Sequence, residues 1–151
     1  MVKGIKHIAV AVRDVDEALK RWQAVLAVAD VKRHHFEKAR SDEAHFFLGD
    51  VQIQLCQSWD PDGRFARYIA QHGEEGVHHV CYTIEDIEAA LTQAVANGAT
   101  LKPCSACRVI GPHKHSEGWV AFLEDKLTGM ETEFMQIYKV GEGPDTGPRK
   151  M

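Results

Sequence analysis

The stretch Ile5-Lys6-His7-Ile8-Ala9-Val10-Ala11-Val12-Arg13-Asp14-Val15-Asp16-Glu17-Ala18-Leu19 returns in altered form as Val77-His78-His79-Val80-Cys81-Tyr82-Thr83-Ile84-Glu85-Asp86-Ile87-Glu88-Ala89-Ala90-Leu91. His7 and His79, Asp14 and Asp86, Ala18 and Ala90, and Leu19 and Leu91 coincide at a spacing of 72 residues. In each copy a run rich in β-branched residues reads as a strand, and the aspartate that follows caps a helix. A chain that builds one half-module twice can bring the same strand position of each half to a shared centre. Two histidines arriving in that way suggest a metal.

Outward from this repeat, the first half reads as a strand over 4–12, a helix over 15–27, and strands near 31–37, 43–48 and 51–56. Gly49-Asp50 suits a tight hairpin between the last two. Asp14 with Glu17 three residues on has the form of a capping box. A short helix over 63–72 links the halves. The second half reads as a strand over 77–84, a helix over 86–97 ended by Asn97-Gly98, and strands near 99–102, 117–123 and 130–138. This β-α-β-β-β order, twice, is neither a parallel βαβ alternation nor an all-β pattern, so the fold class expected is α+β. The domain is expected to span 1–139, with half-modules at about 4–57 and 77–138. The polar, Gly- and Pro-rich segment 140–151 is expected to be disordered.

The chain has 151 residues, 44% of them hydrophobic and 26% charged, the balance of a single soluble globular domain. Its net charge of −4 argues against a nucleic-acid or anionic-membrane partner. With neither a membrane-length apolar run nor a signal-peptide block, the expected location is cytoplasmic. Its four cysteines, Cys56, Cys81, Cys104 and Cys107, are too few and too scattered for a disulfide scaffold. Cys104-Ser-Ala-Cys107 is either a redox or zinc site, the latter with His113 and His115, or two thiols in a connecting loop. The spacing is not that of a usual zinc finger, and the loop reading is preferred.

Side chains on a strand alternate between faces. Ile8, Val10 and Val12 form the bulky set that suits a covering helix, so His7 points the other way, beside small Ala9 and Ala11. The same alternation groups His79 with Cys81 and Thr83, and so selects His79 rather than His78 as the counterpart of His7. In the last strand of the first half, Val51, Ile53 and Leu55 pack while Gln52 and Gln54 face away. In the second half, Met130, Thr132 and Phe134 pack while Glu131 and Glu133 face away. Each half thus supplies one histidine strand and one strand bearing amides or carboxylates. Imidazole, amide carbonyl and carboxylate together suit one divalent ion: Co²⁺, Zn²⁺, Ni²⁺, Mn²⁺ or Fe²⁺.

Over residues 4–138 the chain resembles the vicinal oxygen chelate superfamily, the glyoxalase, bleomycin-resistance and extradiol dioxygenase relatives. Within it, the stretches Ile5 to Val10, Val51-Gln52-Ile53-Gln54-Leu55, Gly76-Val77-His78-His79-Val80 with Asp86-Ile87-Glu88-Ala89-Ala90, and Phe122-Leu123 through Gly129-Met130-Glu131-Thr132-Glu133 are most similar to the methylmalonyl-CoA epimerases. The resemblance implies paired βαβββ modules forming a cupped mixed sheet around a metal, often in a homodimer. It implies His7, Gln54, His79 and Glu133 as the ligands. It also implies an isomerase that removes the proton next to the thioester carbonyl of a short acyl-CoA, by way of a metal-stabilised enolate. Glu133 is one acid-base group. The second is read as His45, which stands where some relatives have a carboxylate, with Glu43 on the same face. His113, Lys114 and Ser116, in a loop at the mouth of the site in relatives, are candidate substrate contacts. The alternatives are a lactoylglutathione lyase using the same ligands and a non-catalytic small-molecule-binding protein.

Overall fold

The computed structural model describes residues 1–143. The expected α+β class holds: three helices and nine strands follow in the order β1 (Val2–Ala11), α1 (Val15–Leu26), β2 (Lys32–Phe36), β3 (Ser41–Leu48), β4 (Val51–Ser58), α2 (Arg64–His72), β5 (Gly76–Ile84), α3 (Ile87–Ala96), β6 (Leu101–Lys102), β7 (His113–Lys114), β8 (Gly118–Leu123) and β9 (Glu131–Ile137). The two-residue β7 is an element the sequence reading lacks. Contacts divide the chain into a unit of His7–His78 and a unit that joins Met1–Lys6 to the chain from His79 onward. The first residues of β1 therefore belong with the second half. Glu85 N–H donates to the Met1 carbonyl at 3.0 Å, and Lys6 pairs with Glu117 at 2.7 Å.

In the His7–His78 unit the strand order is β2-β3-β4-β1. β1 runs parallel to β4, while β3 is antiparallel to both β2 and β4. Gly49, at φ 59°, turns the two-residue hairpin between β3 and β4. Helix α1 lays Val15, Ala18, Leu19 and Trp22 on Ile8, Val10, Val12, Ala44, Phe46, Ile53 and Leu55. This is the bulky face that strand alternation assigned to a helix. The small face is covered too: Phe65, Tyr68 and Ile69 of α2 pack on Ala9, Ala11 and Cys56. His78 sits edge-on to the Phe65 and Tyr68 rings, at 5.0 and 5.5 Å between centroids.

The other unit repeats the plan. Its order is β5-β9-β8-β6 with β7 also on β8, and β5 is parallel to β9. Helix α3 packs Ile87 and Leu91 against Ala121, Leu123, Trp119 and Phe134. The duplication extends to the helix starts. Asp14 accepts from Glu17 N–H and Asp86 from Ala89 N–H, each at 3.0 Å. Two residues earlier, Val15 N–H donates to Gln57 Oε1 at 2.8 Å and Ile87 N–H to Gln136 Oε1 at 2.9 Å. Two otherwise orphaned helix donors are thereby satisfied in the same way in both halves. The reciprocal arm of the capping box is not made, because the Glu17 carboxylate pairs with Lys20 instead.

Where the expected loose tail begins, the Glu142 carboxylate accepts from Trp119 Nε1 at 3.1 Å and from Lys139 N–H at 2.9 Å. Residues 144–151, the rest of that expectation, lie outside the described residues. Among the described residues, no helix is long and apolar enough to cross a membrane.

Phe46 is buried at 1% exposure and stands 5.4 Å from Trp22 between ring centroids. Phe46→Ala leaves a cavity under α1 and is expected to lower stability by about 3–5 kcal/mol in a urea titration.

Candidate active site

In the first unit, His7 on β1 and Gln54 on β4 share the face turned from α1, and both are buried, at 4% and 8% exposure. The parallel register sets His7 opposite Gln52 and Ala9 opposite Gln54. Gln54 Nε2 donates to Gln52 Oε1 at 2.8 Å, which commits the amide nitrogen and leaves Gln54 Oε1 as its electron-pair donor. On β3, His45 lies opposite Gln54 and Glu43 opposite Cys56, so both project on this same face.

Glu43 and His45 form a buried pair. His45 Nε2 donates to Glu43 at 2.7 Å, and Ser41 Oγ donates to the other carboxylate oxygen at 2.9 Å. Burial works to raise the Glu43 pKa, but His45, the charge of Arg64 and the Ser41 hydroxyl outweigh it, and the carboxyl ends below its usual range. The His45 ring also packs on His34, 4.4 Å away between centroids.

In the second unit, His79 and Glu133 are almost wholly buried, and His79 Nε2 lies 3.2 Å from Glu133 Oε2. Their register repeats that of the first half: His79 stands opposite Glu131 and Cys81 opposite Glu133. At this depth the carboxylate and the imidazole offset each other's lost hydration. A divalent cation suits this oxygen and nitrogen donor pair.

The predicted substrate contacts separate. Lys114 leans over the Trp119 ring, 5.3 Å from its centroid. Ser116 lies in the turn between β7 and β8. His113 belongs to a different group, in which its ring nitrogen and the sulfurs of Cys104 and Cys107 lie within 4.8 Å of one another. Burial opposes a Cys104 thiolate, yet His113, His115 and Cys107 outweigh it and pull its pKa down to about 4. Burial pushes the thiols of Cys56 and Cys81 well up instead. Spacing alone did not favour this grouping. The signal for it is the i, i+2 pair His113 and His115, which share one face of an extended segment.

A family model for the Glyoxalase/Bleomycin resistance protein/Dioxygenase superfamily matches residues 6–122. An ethylmalonyl-CoA/methylmalonyl-CoA epimerase of Cereibacter sphaeroides is 28% identical over 139 residues, covering 91% of this chain and all of that protein. The human mitochondrial methylmalonyl-CoA epimerase is 22% identical over 87 residues, covering 58% of this chain and 49% of its own length. Among solved structures, a methylmalonyl-CoA epimerase in complex with methylmalonyl-CoA and NH4+ superposes with TM-score 0.75 at 23% identity, covering 95% of this chain and all of the other. A methylmalonyl-CoA epimerase from Mycobacterium tuberculosis gives TM-score 0.70 at 19% identity, covering 92% of this chain and 91% of the other.

Because the Glu43 pKa is depressed on folding, its stabilising share is complete above the ordinary value of 4.5 and fades as pH falls below it. The difference in melting temperature between the native chain and Glu43→Gln is therefore expected at neutral pH and to shrink as pH drops below 4.5. Paired thermal melts across that range check this.

Proposed function

This chain belongs to the Glyoxalase/Bleomycin resistance protein/Dioxygenase superfamily, and from that footing we propose that it is an epimerase of a short acyl-CoA of the methylmalonyl-CoA type. The observation that carries the reading is the equal register of the two halves. Ala9 faces Gln54 and Cys81 faces Glu133, so each histidine strand meets its polar partner two residues past the histidine. The likeness to the Cereibacter epimerase, over 91% of this chain and all of that protein, supports the substrate class.

In this reading His7, Gln54, His79 and Glu133 hold one divalent ion. When bound, the ion supplies Lewis-acid stabilisation to the negative charge that builds on a thioester oxygen as the neighbouring carbon loses its proton. Glu133 moves the proton on one face of that carbon. His45 serves the other face. Its Nε2–H is committed to Glu43, so exchange falls to Nδ1, and the ionised Glu43 stabilises the imidazolium that forms. Inversion follows when one group takes the proton and the other returns one. The burial of the Glu43–His45 pair keeps water from competing for the proton. The homodimer that the resemblance implies and a cytoplasmic setting go with this reading.

The test is deuterium incorporation from D₂O into racemic methylmalonyl-CoA by metal-reconstituted protein. The native chain is expected to label both enantiomers. His45→Asn is expected to lose inversion by about 10²- to 10⁴-fold, while Glu133 still exchanges the proton of one enantiomer. Absence of exchange in the native, metal-loaded chain sinks the reading. Turnover of methylglyoxal with glutathione in its place would make the chain a lyase.

A further inference from the structure

The two halves differ most along one edge strand. In the first half β2 pairs with β3 without interruption, from Lys32 opposite His45 to Phe36 opposite Ser41. In the second half the corresponding strand is broken. Lys102 of β6 stands opposite Phe122, and His113 of β7 stands opposite Val120. The ten residues 103–112 thus face the single residue Ala121, an excursion of nine residues beyond the repeat. Both cysteines of the CxxC pair lie in it, and His113 and His115 follow at the point of return.

The excursion is tightly turned. Cys104 N–H donates to the Val109 carbonyl at 2.9 Å, and Arg108 N–H donates back to the Cys104 carbonyl at 2.8 Å. Arg108, directly after the second cysteine, takes φ 66°, a left-handed conformation that a long side chain adopts only when its surroundings demand it. The turn folds the two sulfurs toward His113. His113 Nδ1 contacts the Gly111 carbonyl at 2.8 Å, which fixes the proton on Nδ1 and leaves Nε2 with its lone pair. Metal-binding histidines are oriented in this manner by a backbone carbonyl. The His115 ring lies 5.1 Å from that of His113. His113 Nε2 and His115 Nδ1 are both buried and lack a hydrogen-bond partner. Buried polar atoms are seldom left so, and here two orphaned imidazole nitrogens accompany two thiols.

We propose that Cys104, Cys107, His113 and His115 form a second, tetrahedral metal site, separate from that of the proposed reaction, which binds Zn²⁺ and staples the 103–112 excursion to the edge of the sheet. Two sulfurs and two imidazole nitrogens are the donor set of structural zinc. All four protein ligands are supplied, so no position stays open for substrate. Zinc takes cysteine as the thiolate, so binding releases the thiol protons of Cys104 and Cys107. An irregular segment of this length gains the order that an edge strand otherwise takes from its ladder.

Cobalt(II) is the probe. The native 151-residue chain, purified under reductant and stripped with a chelator, is titrated with Co²⁺. A thiolate-to-cobalt absorption band in the near ultraviolet is expected, with the strong visible bands of tetrahedral cobalt. Cys104→Ser combined with Cys107→Ser loses the band. His7→Ala combined with His79→Ala keeps it, although that variant loses the metal of the proposed reaction. A native chain with no thiolate band overturns the proposal, as does a band that survives loss of both cysteines. A second readout needs no variant: adding Zn²⁺ removes two thiols per chain from reaction with an aromatic disulfide, and the chelator returns them. Equal thiol reactivity with and without Zn²⁺ also overturns the proposal.

Discussion

Everything in either half hangs on the parallel pairing of its histidine strand with its last strand. That pairing is reached only by carrying the chain through a helix and two further strands before it returns beside its start. It fixes the offset between imidazole and amide in one half and between imidazole and carboxylate in the other. A slip of one residue would turn His7 or His79 beneath a helix and bring a valine or isoleucine to the polar face. In the first half register is held by the packing of Ile8, Val10, Ile53 and Leu55 under α1, and in the second Phe134 of β9 packs with α3. The glutamine-to-helix bonds at Val15 and Ile87 tie the last strand to the first helix in both halves. Chemistry and hydrophobic packing are thus two faces of one constraint.

The duplication is faithful in scaffold and unequal in chemistry. Gln54 and Glu133 occupy equivalent positions, a neutral amide in one half and a carboxylate in the other. His45 opposes Gln54 across β3 and β4, whereas Phe122 opposes Glu133 across β8 and β9. Likewise Glu43 has Val120 as its counterpart, opposite Cys56 and Met135 respectively. The third strand of the first half thus carries an ionisable pair where the second half has apolar side chains, and the last strand of the second half carries a carboxylate where the first has an amide.

Much of this was legible in the residues. Strand alternation around His7 and His79 separates a helix-bearing face from a polar one, and the buried sets match that separation. The caps at Asp14 and Asp86 and the Gly49 turn are local chemistry and follow from local sequence. What could not be read was non-local. Ala9 and Ala11 announce room on the polar face, but only packing reveals that Phe65 and Ile69 of α2 fill part of it. The membership of Met1–Lys6 in the second unit depends on partners such as Glu117, more than a hundred positions away in sequence. β7 is two residues long, too short for any periodicity to show, and exists because β8 offers it a ladder. Cys104 and Cys107 looked like loop thiols because their spacing to His113 and His115 fits no common pattern. The register break that brings them together is visible only when β6 and β7 are both laid against β8.

That break also governs how the sheet ends. In the unit that begins at His7, the outermost strand is β2, and Lys32 and Arg33 place charge along its rim. The other unit's rim is interrupted between Lys102 and His113, so an incoming extended segment meets no unbroken row of amides and carbonyls there. Exposed rims of β-structure invite unwanted strand addition. One border is thus guarded by charge and the other by discontinuity, and both deter self-association through the main chain.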